Sequence, residues 1–488
     1  MPGRCRPAPS GSINVPTSGR IFRWRVSRAR VWGWNRPRRG WRNTARFRCS
    51  TLPGEPAARL ISSPLWWEDF PAFADAAPAL PERADVVVVG AGLTGCSAAL
   101  TLARAGQKVL LLDAERPGFG ASTRNGGMVG GGYRLSPEEM DAKYGVETAQ
   151  ALLEESHVHS LAFTNRRIRE EGIECDYRTT GRFRGLWNRE DYDATARGLE
   201  ALRRRVPVNI DMVPPEAQGR EIGSRLYSGG MLLHDHGGLH PGRYLAGMLQ
   251  AAHRAGAEVL GQTLVEGVAA RRGGFDVATS RGMVRADAVL MATNGYTRRA
   301  FGALKRRIIP LPSFLIATED LPEGLADEIM PTRRMYVESR LRHCYFRLSP
   351  DGKRFVLGAR AAMSPIRPER AAKVLRGLMC EIFPQMQRLR VTHSWTGTTG
   401  FSFSFLPHVG RIGGIWHALG YSGSGNAMAP YLGHKAALQM LGDRAGETAF
   451  SRTRLETRLW YRKTPWFLPL AHQLYRFADR RQDRQRGR

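Results

Sequence analysis

The sequence predicts an α/β (α+β) fold: a Rossmann-like nucleotide-binding domain beside a second domain built on a mixed or antiparallel sheet. Three observations carry this prediction. Four consecutive valines, Val86 to Val89, lead directly into Gly90-Ala-Gly92-Leu-Thr-Gly95 and an apolar helical stretch. Two further small-residue, glycine-bearing segments stand far downstream, around Asn294-Gly295 and Gly423-Ser-Gly-Asn426. Between them run short alternating segments bounded by turn residues, the pattern of half-buried strands. The chain has 488 residues, 42% hydrophobic and 24% charged. That length allows two or three domains, with enough apolar side chains to offset backbone entropy. A small disulfide-stapled module and wholesale disorder are excluded, and no run of about 18 apolar residues predicts a transmembrane helix.

The first element is a basic, disordered extension over residues 1–62. Residues 1–59 hold 14 arginines against one acid, Glu55, and account for +13 of the formal +29. With no apolar h-region after the arginines, a secretory or twin-arginine signal is not expected, and Gly33, Pro37 and Gly40 break the amphipathic helix of a transit peptide. The open readings are a solvated arm, a start assigned too far upstream, or an arm that neutralises phosphates while its tryptophans stack on bases. The tail from Arg476 adds six arginines against Asp479 and Asp483. Most of the charge anomaly is therefore terminal, and nucleic acid is not the expected partner. Folded structure is expected from about Ser63, with Leu65-Trp66-Trp67 packing on a domain surface.

The dinucleotide fingerprint comes next. Val86–Val89 forms a strand buried on both faces, as a central parallel strand must be. Gly90 permits the tight turn, Gly92 lets backbone approach a pyrophosphate, and Gly95 lets the helix close on the strand. Leu93 and Thr94 open a helix to Ala105 whose N–H groups point at phosphates. A second strand, Lys108 to Asp113, ends 18 residues beyond Gly95 in an acid suited to a ribose 2′-hydroxyl, with Ala114 beside it. Cys96 reads as a small core residue.

The fingerprint alone fits NAD and FAD equally, and the following segments favour a flavin. Ser122-Thr123-Arg124-Asn125-Gly126-Gly127-Met128 brings backbone amides and a cation against a large planar ligand. A buried strand from Ala286 ends in Thr293-Asn294-Gly295, and upstream of it Val265 joins the expected cofactor contacts. Gly423-Ser424-Gly425-Asn426, with Met428, opens a helix to about Leu441. Its positive N-terminus suits an anionic reduced isoalloxazine.

With these motifs in place the chain resembles FAD-dependent amine oxidoreductases of the D-amino-acid oxidase superfamily. The resemblance rests on Val86 to Asp113, Ala121 to Gly127, Gly237-Gly-Leu-His240-Pro-Gly-Arg-Tyr244, Trp395-Thr-Gly397 and Gly420 to Met428, in that order. Within the superfamily it is most similar to the γ-glutamylputrescine oxidase and glycine/sarcosine oxidase branch. The resemblance implies a Rossmann-like FAD-binding domain assembled from separated segments, 63–175, 234–304 and 393–445. It implies a substrate domain from 176–233 and 305–392, with a docking segment and basic tail over 446–488.

The same resemblance implies transfer of a hydride equivalent from the carbon next to nitrogen onto flavin N5, the resulting imine then hydrolysing. The isoalloxazine supplies that chemistry, and the protein supplies orientation and a dry cavity. Tyr345 and Arg347 alternate with Phe346 and so share a sheet face. If that face lines the cavity, Arg347 pairs with a substrate carboxylate and Tyr345 orients the amine; otherwise they are an exposed arginine and a core tyrosine. Trp395 either covers the flavin, lines the pocket or is core. Sarcosine-type relatives carry a lysine before a Leu-Gly pair to promote reaction with dioxygen. The matching pair here is Leu357-Gly358, preceded by Val356, which leaves the acceptor open between dioxygen and another species. The family's covalent attachments use Cys or His; Cys344 and Cys380 stand in unconvincing contexts, His393 falls near one such position, and the FAD is expected to be non-covalent.

His234-Asp-His236 and His240 tempt toward a metal, but His240 precedes Pro241 at a helix start, and no metal is expected. Six scattered cysteines indicate no disulfide framework and suit the cytoplasm. Trp466 to Phe477, with the basic tail, either docks on its own domain or contacts a membrane surface. The leading expectation is a cytoplasmic oxidoreductase acting on a small amine or amino acid, with dioxygen as acceptor. The alternatives are a membrane-associated dehydrogenase using a quinone, and an FAD-dependent protein that modifies tRNA or accompanies nucleic acid.

Overall fold

The computed structural model describes residues 15–17, 20–22, 60–70, 79–133, 135–340, 343–462, 464–471 and 473–474. The chain divides into two units, Met1–Glu55 and Pro56–Arg488. In the first unit the described residues are two short antiparallel strands, Val15–Thr17 and Arg20–Phe22. The rest of the expected basic arm, and the basic tail from residue 475, lie outside the described residues.

The second unit contains two eight-stranded sheets. The first is ordered Glu258–Leu260, Val109–Leu112, Arg83–Val89, Gly282–Met291, Gly274–Thr279 and Val265–Arg271, its first four strands parallel. The strand Gly282–Met291 serves two neighbours. Its first half pairs antiparallel with Gly274–Thr279, while Leu290 and Met291 pair parallel with Trp416 and His417 of Ile415–Leu419. The valine run explains why Arg83–Val89 is central. Val86 and Val88 enter the core beneath the helix Leu93–Arg104, and Val87 and Val89 enter the core on the other face with Leu110, Leu112 and Val289.

The helix Leu93–Arg104 is buried from Leu93 to Ala103 because the helix Gly425–Met440 lies against it. A Cβ on Gly433 would stand 2.3 Å from the Thr94 carbonyl oxygen, so the two helices approach at backbone distance. The Ser97 hydroxyl donates to the Pro430 carbonyl at 2.6 Å, tying them at that point.

The second sheet runs Val391–Phe401, Ile309–Asp320, Arg354–Ala359, Tyr345–Leu348, Met335–Glu338, Arg182–Gly185, Gly230–Leu233 and Ile210–Val213. Pairing is antiparallel except between Met335–Glu338 and Arg182–Gly185. One face buries Phe346, Phe355 and Tyr336 against Phe383 and the helix Pro368–Ile382, with the Tyr336 and Phe346 rings stacked at 5.4 Å. Tyr345 and Arg347 alternate with Phe346 and occupy the other face.

Several local readings shift by a few residues. Ser349 to Gly352 forms a hairpin turn, with Leu348 opposite Phe355. The strand Arg182–Gly185 begins directly after Gly181, which turns the chain at φ +82°. The strand Val391–Phe401 crosses the boundary expected at residue 393 and belongs to the second sheet. A feature with no sequence signal is a π-helical turn, Glu155–His159, inside the helical run from Val146 to Glu170.

Candidate cofactor and active site

The first glycine segment builds a narrow turn. Gly90 adopts φ +107°, where a Cβ would meet the Ala292 carbonyl at 3.1 Å. A Cβ on Gly95 would lie 2.0 Å from the Gly90 carbonyl oxygen, which is how closely the helix start sits on the strand end. Gly92 caps the helix in an extended conformation without a side chain, and the Leu93 N–H donates to Ser122 Oγ at 3.1 Å. Thr94 Oγ1 bonds the Tyr421 hydroxyl at 2.8 Å. Asp113 accepts from the Ala91 N–H at 2.9 Å and the Glu115 N–H at 3.0 Å. Burial lifts its carboxyl to about 6 against those backbone bonds. Ala114 follows it half-buried, and Asp113 reaches the segment before Val265 through the Thr263 N–H, which donates to its carbonyl at 2.8 Å.

The three distant segments meet. Asn426 Nδ2 donates to Asn125 Oδ1 and to the Met128 carbonyl, both at 2.9 Å. Asn125 Oδ1 also accepts from the Gly127 N–H at 2.8 Å. Asn294 Oδ1 accepts from the Gly420 N–H at 2.9 Å, and the Tyr296 hydroxyl accepts from the Thr398 N–H at 3.1 Å. Thr293 Oγ1 pairs with Thr297 Oγ1 at 2.8 Å, and Gly295 lies against the backbone at Gly400. Gly423, at φ +112°, precedes Ser424 and Gly425 at the start of the helix Gly425–Met440, in which Met428 is fully buried. Val265, also among the expected cofactor residues, stands at the start of an outer strand and is buried in the core.

Three tryptophans hold the loop between these groups. Trp66 Nε1 donates to the Asn125 carbonyl at 2.7 Å, Trp395 Nε1 to the Arg124 carbonyl at 3.0 Å, and Trp67 Nε1 to Thr123 Oγ1 at 2.8 Å. Trp66 and Trp395 meet edge to face at 6.4 Å. Trp395 is thus a support of the loop, buried in an apolar cluster with Leu315 and Val356. The Arg124 guanidinium lies 4.5 Å from the Trp67 and Phe119 ring centroids, donating to the Phe119 and Thr396 carbonyls at 2.6 and 3.0 Å. Sequence reasoning placed Trp66 and Trp67 on a domain surface and missed this role. Adjacent aromatics ahead of the fingerprint were the available signal.

The substrate face meets the same loop. A Cβ on Gly126 would lie 2.9 Å from the Tyr345 ring, and one on Gly127 would lie 2.7 Å from Arg347 Nη1. Tyr345 also lies over Gly358, and its hydroxyl pairs with Ser313 Oγ at 3.0 Å. Burial pushes that phenol up to about 12, so it stays protonated at neutral pH. Arg347 is buried and donates from Nη1 to the Leu239 and Gly127 carbonyls, at 2.8 and 3.2 Å, and from Nε to the Leu348 carbonyl at 2.8 Å. Burial lowers its pKa to about 10.

The histidines expected to resist a metal reading disperse. His234 bonds Asp211, His236 accepts from the Gly131 N–H, and His240 caps the helix Pro241–Arg254 while meeting Asp69 at 3.0 Å. Cys344 belongs to the core on the sheet face opposite Tyr345, and His393 sits 3.0 Å from Glu68.

The residues fit FAD. A glycine cradle at a helix N-terminus, a partly buried acid at the next strand end, and a second helix N-terminus beside Asn125–Met128 form the donor set of a flavin dinucleotide. Comparisons with known proteins agree. Residues 85–438 match the family model described as FAD dependent oxidoreductase. The chain is 31% identical over 367 residues to the probable oxidoreductase OrdL of Haemophilus influenzae, covering 74% of this chain and 84% of that protein. It is 30% identical over 369 residues to the gamma-glutamylputrescine oxidoreductase of Escherichia coli, covering 75% and 86%. The crystal structure of glycine oxidase from Geobacillus kaustophilus shares the fold, with a TM-score of 0.64 at 20% identity over 77% of this chain and 99% of that one. With its glycine segments converging on one junction and its sequence matched over most of its length, the chain belongs to the FAD-dependent oxidoreductases.

Proposed function

We propose that the protein oxidises the C–N bond of a small amine or amino acid, with dioxygen as the terminal acceptor, in the cytoplasm. The observation that carries this reading is the meeting of Tyr345 and Arg347 with Gly126 and Gly127, which sets the substrate sheet directly against the flavin loop. The names of the relatives, a gamma-glutamylputrescine oxidoreductase and a glycine oxidase, point to the same bond type. FAD, when bound, accepts the hydride equivalent released from the carbon beside nitrogen.

The chain's own residues do the rest. The Tyr345 hydroxyl, protonated and held by Ser313, orients the substrate amine. Trp66, Trp395, Leu315 and Val356 make the surroundings apolar, which keeps water from the reacting carbon. Arg347 locks the loop by bonding the Gly127 carbonyl. The imine product leaves and hydrolyses to a carbonyl compound. Cofactor attachment is non-covalent in this reading, supported by Cys344 facing the opposite core. The four described cysteines are free, which supports a reducing compartment.

A second reading, a membrane-associated dehydrogenase with a quinone acceptor, is favoured by two observations. Val356, in place of a cation, is buried among apolar side chains. Trp466, Leu470 and Leu474 lie outward at four-residue spacing while Leu468, Phe467 and Ala471 pack on Leu311, Met363 and Phe401. Among the described residues no helix is long and apolar enough to cross a membrane. Incubating the FAD-loaded protein in air with a panel of amines and amino acids tests both readings. Carbonyl product with equimolar peroxide supports the first. Carbonyl product that needs an added quinone supports the second, and no carbonyl product from any amine contradicts both.

A further inference from the structure

The second unit carries an apolar surface that no part of the described chain covers. Five large hydrophobic side chains lie exposed within sixteen residues, 459 to 474: Leu459 at 96%, Trp460, Trp466 at 64%, Leu470 at 61% and Leu474. Trp466, Leu470 and Leu474 recur every four residues and share one side, while Phe467, Leu468 and Ala471 pack on Leu311, Met363 and Phe401. The segment is docked on its own domain by one face and presents a second apolar face outward. Trp460 joins that outer face, its ring meeting Trp466 edge to face at 6.3 Å. The indole is anchored from behind. It stands at right angles to Phe467 at 5.0 Å and edge to face with Phe403 at 6.0 Å, and the buried Tyr461 beside it donates from its hydroxyl to the Ile308 carbonyl at 2.8 Å.

The surroundings are cationic. Residues 298–307 and 452–463 together hold ten basic residues against one acid, Glu456. The two stretches touch: Arg307 Nε donates to the Leu455 carbonyl and Thr457 Oγ1 to the Arg306 carbonyl, both at 3.2 Å. Glu456 is already engaged by Lys143 at 3.3 Å and Arg458 at 2.5 Å. Arg299, Arg306, Arg454 and Arg462 are exposed. Burial lowers the Arg307 pKa and the Arg306 and Arg454 charges lower it further, the mark of like charges crowded on one edge.

This pairing of chemistries selects a partner. Exposed leucines neither stack on bases nor bind phosphates, which disfavours nucleic acid, and a cationic surface repels a second copy of itself. A bilayer with anionic headgroups satisfies both parts: indoles and leucines enter the boundary between headgroups and acyl chains while arginines meet the phosphates. We propose that this surface docks the protein on an anionic lipid bilayer, with Trp460, Trp466 and Leu470 inserted and the edge from Arg306 to Arg454 on the headgroups. The proposal deepens the membrane-associated reading, on which its bearing on the reaction rests; the surface itself depends on neither the substrate nor the electron acceptor.

The test uses full-length, FAD-loaded protein and vesicles of phosphatidylcholine alone or mixed with phosphatidylglycerol. Cosedimentation and tryptophan quenching by brominated acyl chains are read for wild type, Trp466→Ser/Leu470→Ser and Arg306→Gln/Arg454→Gln. Flavin retention confirms that each variant is folded, and each is expected to oxidise amines in vesicle-free solution as wild type does. Wild type is expected to bind the mixed vesicles, and to bind them less as salt is raised. The apolar pair of substitutions should weaken binding roughly 10- to 100-fold and remove most of the quenching. The arginine pair should weaken it roughly 10- to 30-fold. Undiminished binding of the Trp466→Ser/Leu470→Ser variant would overturn the proposal and assign attachment to the basic ends of the chain. So would binding indifferent to phosphatidylglycerol, tighter binding to single-stranded RNA that the same substitutions remove, or a wild-type dimer that they dissociate. If amines are oxidised and no vesicle is bound, the docking proposal falls alone. If vesicles are bound through this surface and no amine reduces the flavin, docking stands and the amine-oxidation reading falls.

Discussion

At the scale of single residues, the cofactor loop is held by donors that have no substitutes nearby. Trp66→Phe keeps the ring volume in a buried position but removes the N–H bonded to the Asn125 carbonyl. The stranded carbonyl is expected to cost about 1–3 kcal/mol. Thermal melts and FAD dissociation measured together check this: the variant should melt lower and release FAD faster, and unchanged FAD release would show that the indole does not position the loop. Gly92 makes a sharper case. It caps the helix where a pyrophosphate is expected, and a Cβ there already stands 2.9 Å from Ser122 Oγ. Gly92→Val should yield folded protein without bound flavin, read from the visible-to-ultraviolet absorbance ratio; a yellow variant would contradict the placement of the phosphates. Gly92 was legible in the sequence because its spacing from Gly90 and Gly95 has one structural meaning. The loop-holding role of Trp66 and Trp67 was not legible, because their indole acceptors, the Asn125 carbonyl and Thr123 Oγ1, lie more than fifty residues away in sequence.

At the scale of elements, the two helices whose N-termini face the flavin site depend on each other. Helix Leu93–Arg104 and helix Gly425–Met440 touch at backbone distance at Gly433, next to Thr94. Gly433→Val would push them apart, and overpacking of this kind costs about 1–3 kcal/mol. Because Thr94 and Asn426 both lie at the cofactor end, the loss should appear in FAD affinity as well as in melting temperature. A lower melting temperature with unchanged FAD affinity would show that the helices do not jointly shape the site. Most elements could be read from the sequence: valine and leucine runs for the buried parallel strands, Ser349 to Gly352 for the hairpin, His240-Pro241 for a helix start. The π-helical turn at Glu155–His159 could not. It accommodates Gly131, whose Cβ would stand 1.8 Å from the Ser156 carbonyl oxygen, a fit set by tertiary contact rather than by local periodicity. The strand Val391–Phe401, placed by the sequence at the start of a nucleotide segment, pairs along its length with Ile309–Asp320 of the substrate sheet, while Gly400 near its end also lies against Asn294.

At the scale of the whole molecule, buried imidazoles set the acid limit. Burial lowers His157, His408 and His434 to about 4 and His417 to about 3, and burial also holds His236 well below its usual range, with Arg182 and His157 adding to the effect. His408 and His417 stack and share one hydrogen bond at 2.9 Å; with His408 Nε2 donating to the Thr453 carbonyl, its Nδ1 is the acceptor, so protonating His408 there breaks the pair. An unfolded chain takes up these protons near 6.5, while the folded one resists to about 4. Stability is therefore full above about pH 6.5 and declines as the pH falls toward 4. Thermal melts across that window should show the decline, and a flat profile would contradict the buried, neutral state of these rings. Their burial was hidden in the sequence, since His408 and His417 stand nine residues apart on paired strands and become neighbours only through the register. The claim on which the account turns is that the converging glycine segments hold an FAD against a sheet that presents amines to it. Anaerobic titration of the purified protein with a panel of amines and amino acids, followed by visible absorption, tests it most directly. The account predicts a yellow protein whose flavin bands bleach with at least one amine or amino acid; a protein that stays colourless in excess FAD, or a flavin that none of them bleaches, would contradict it.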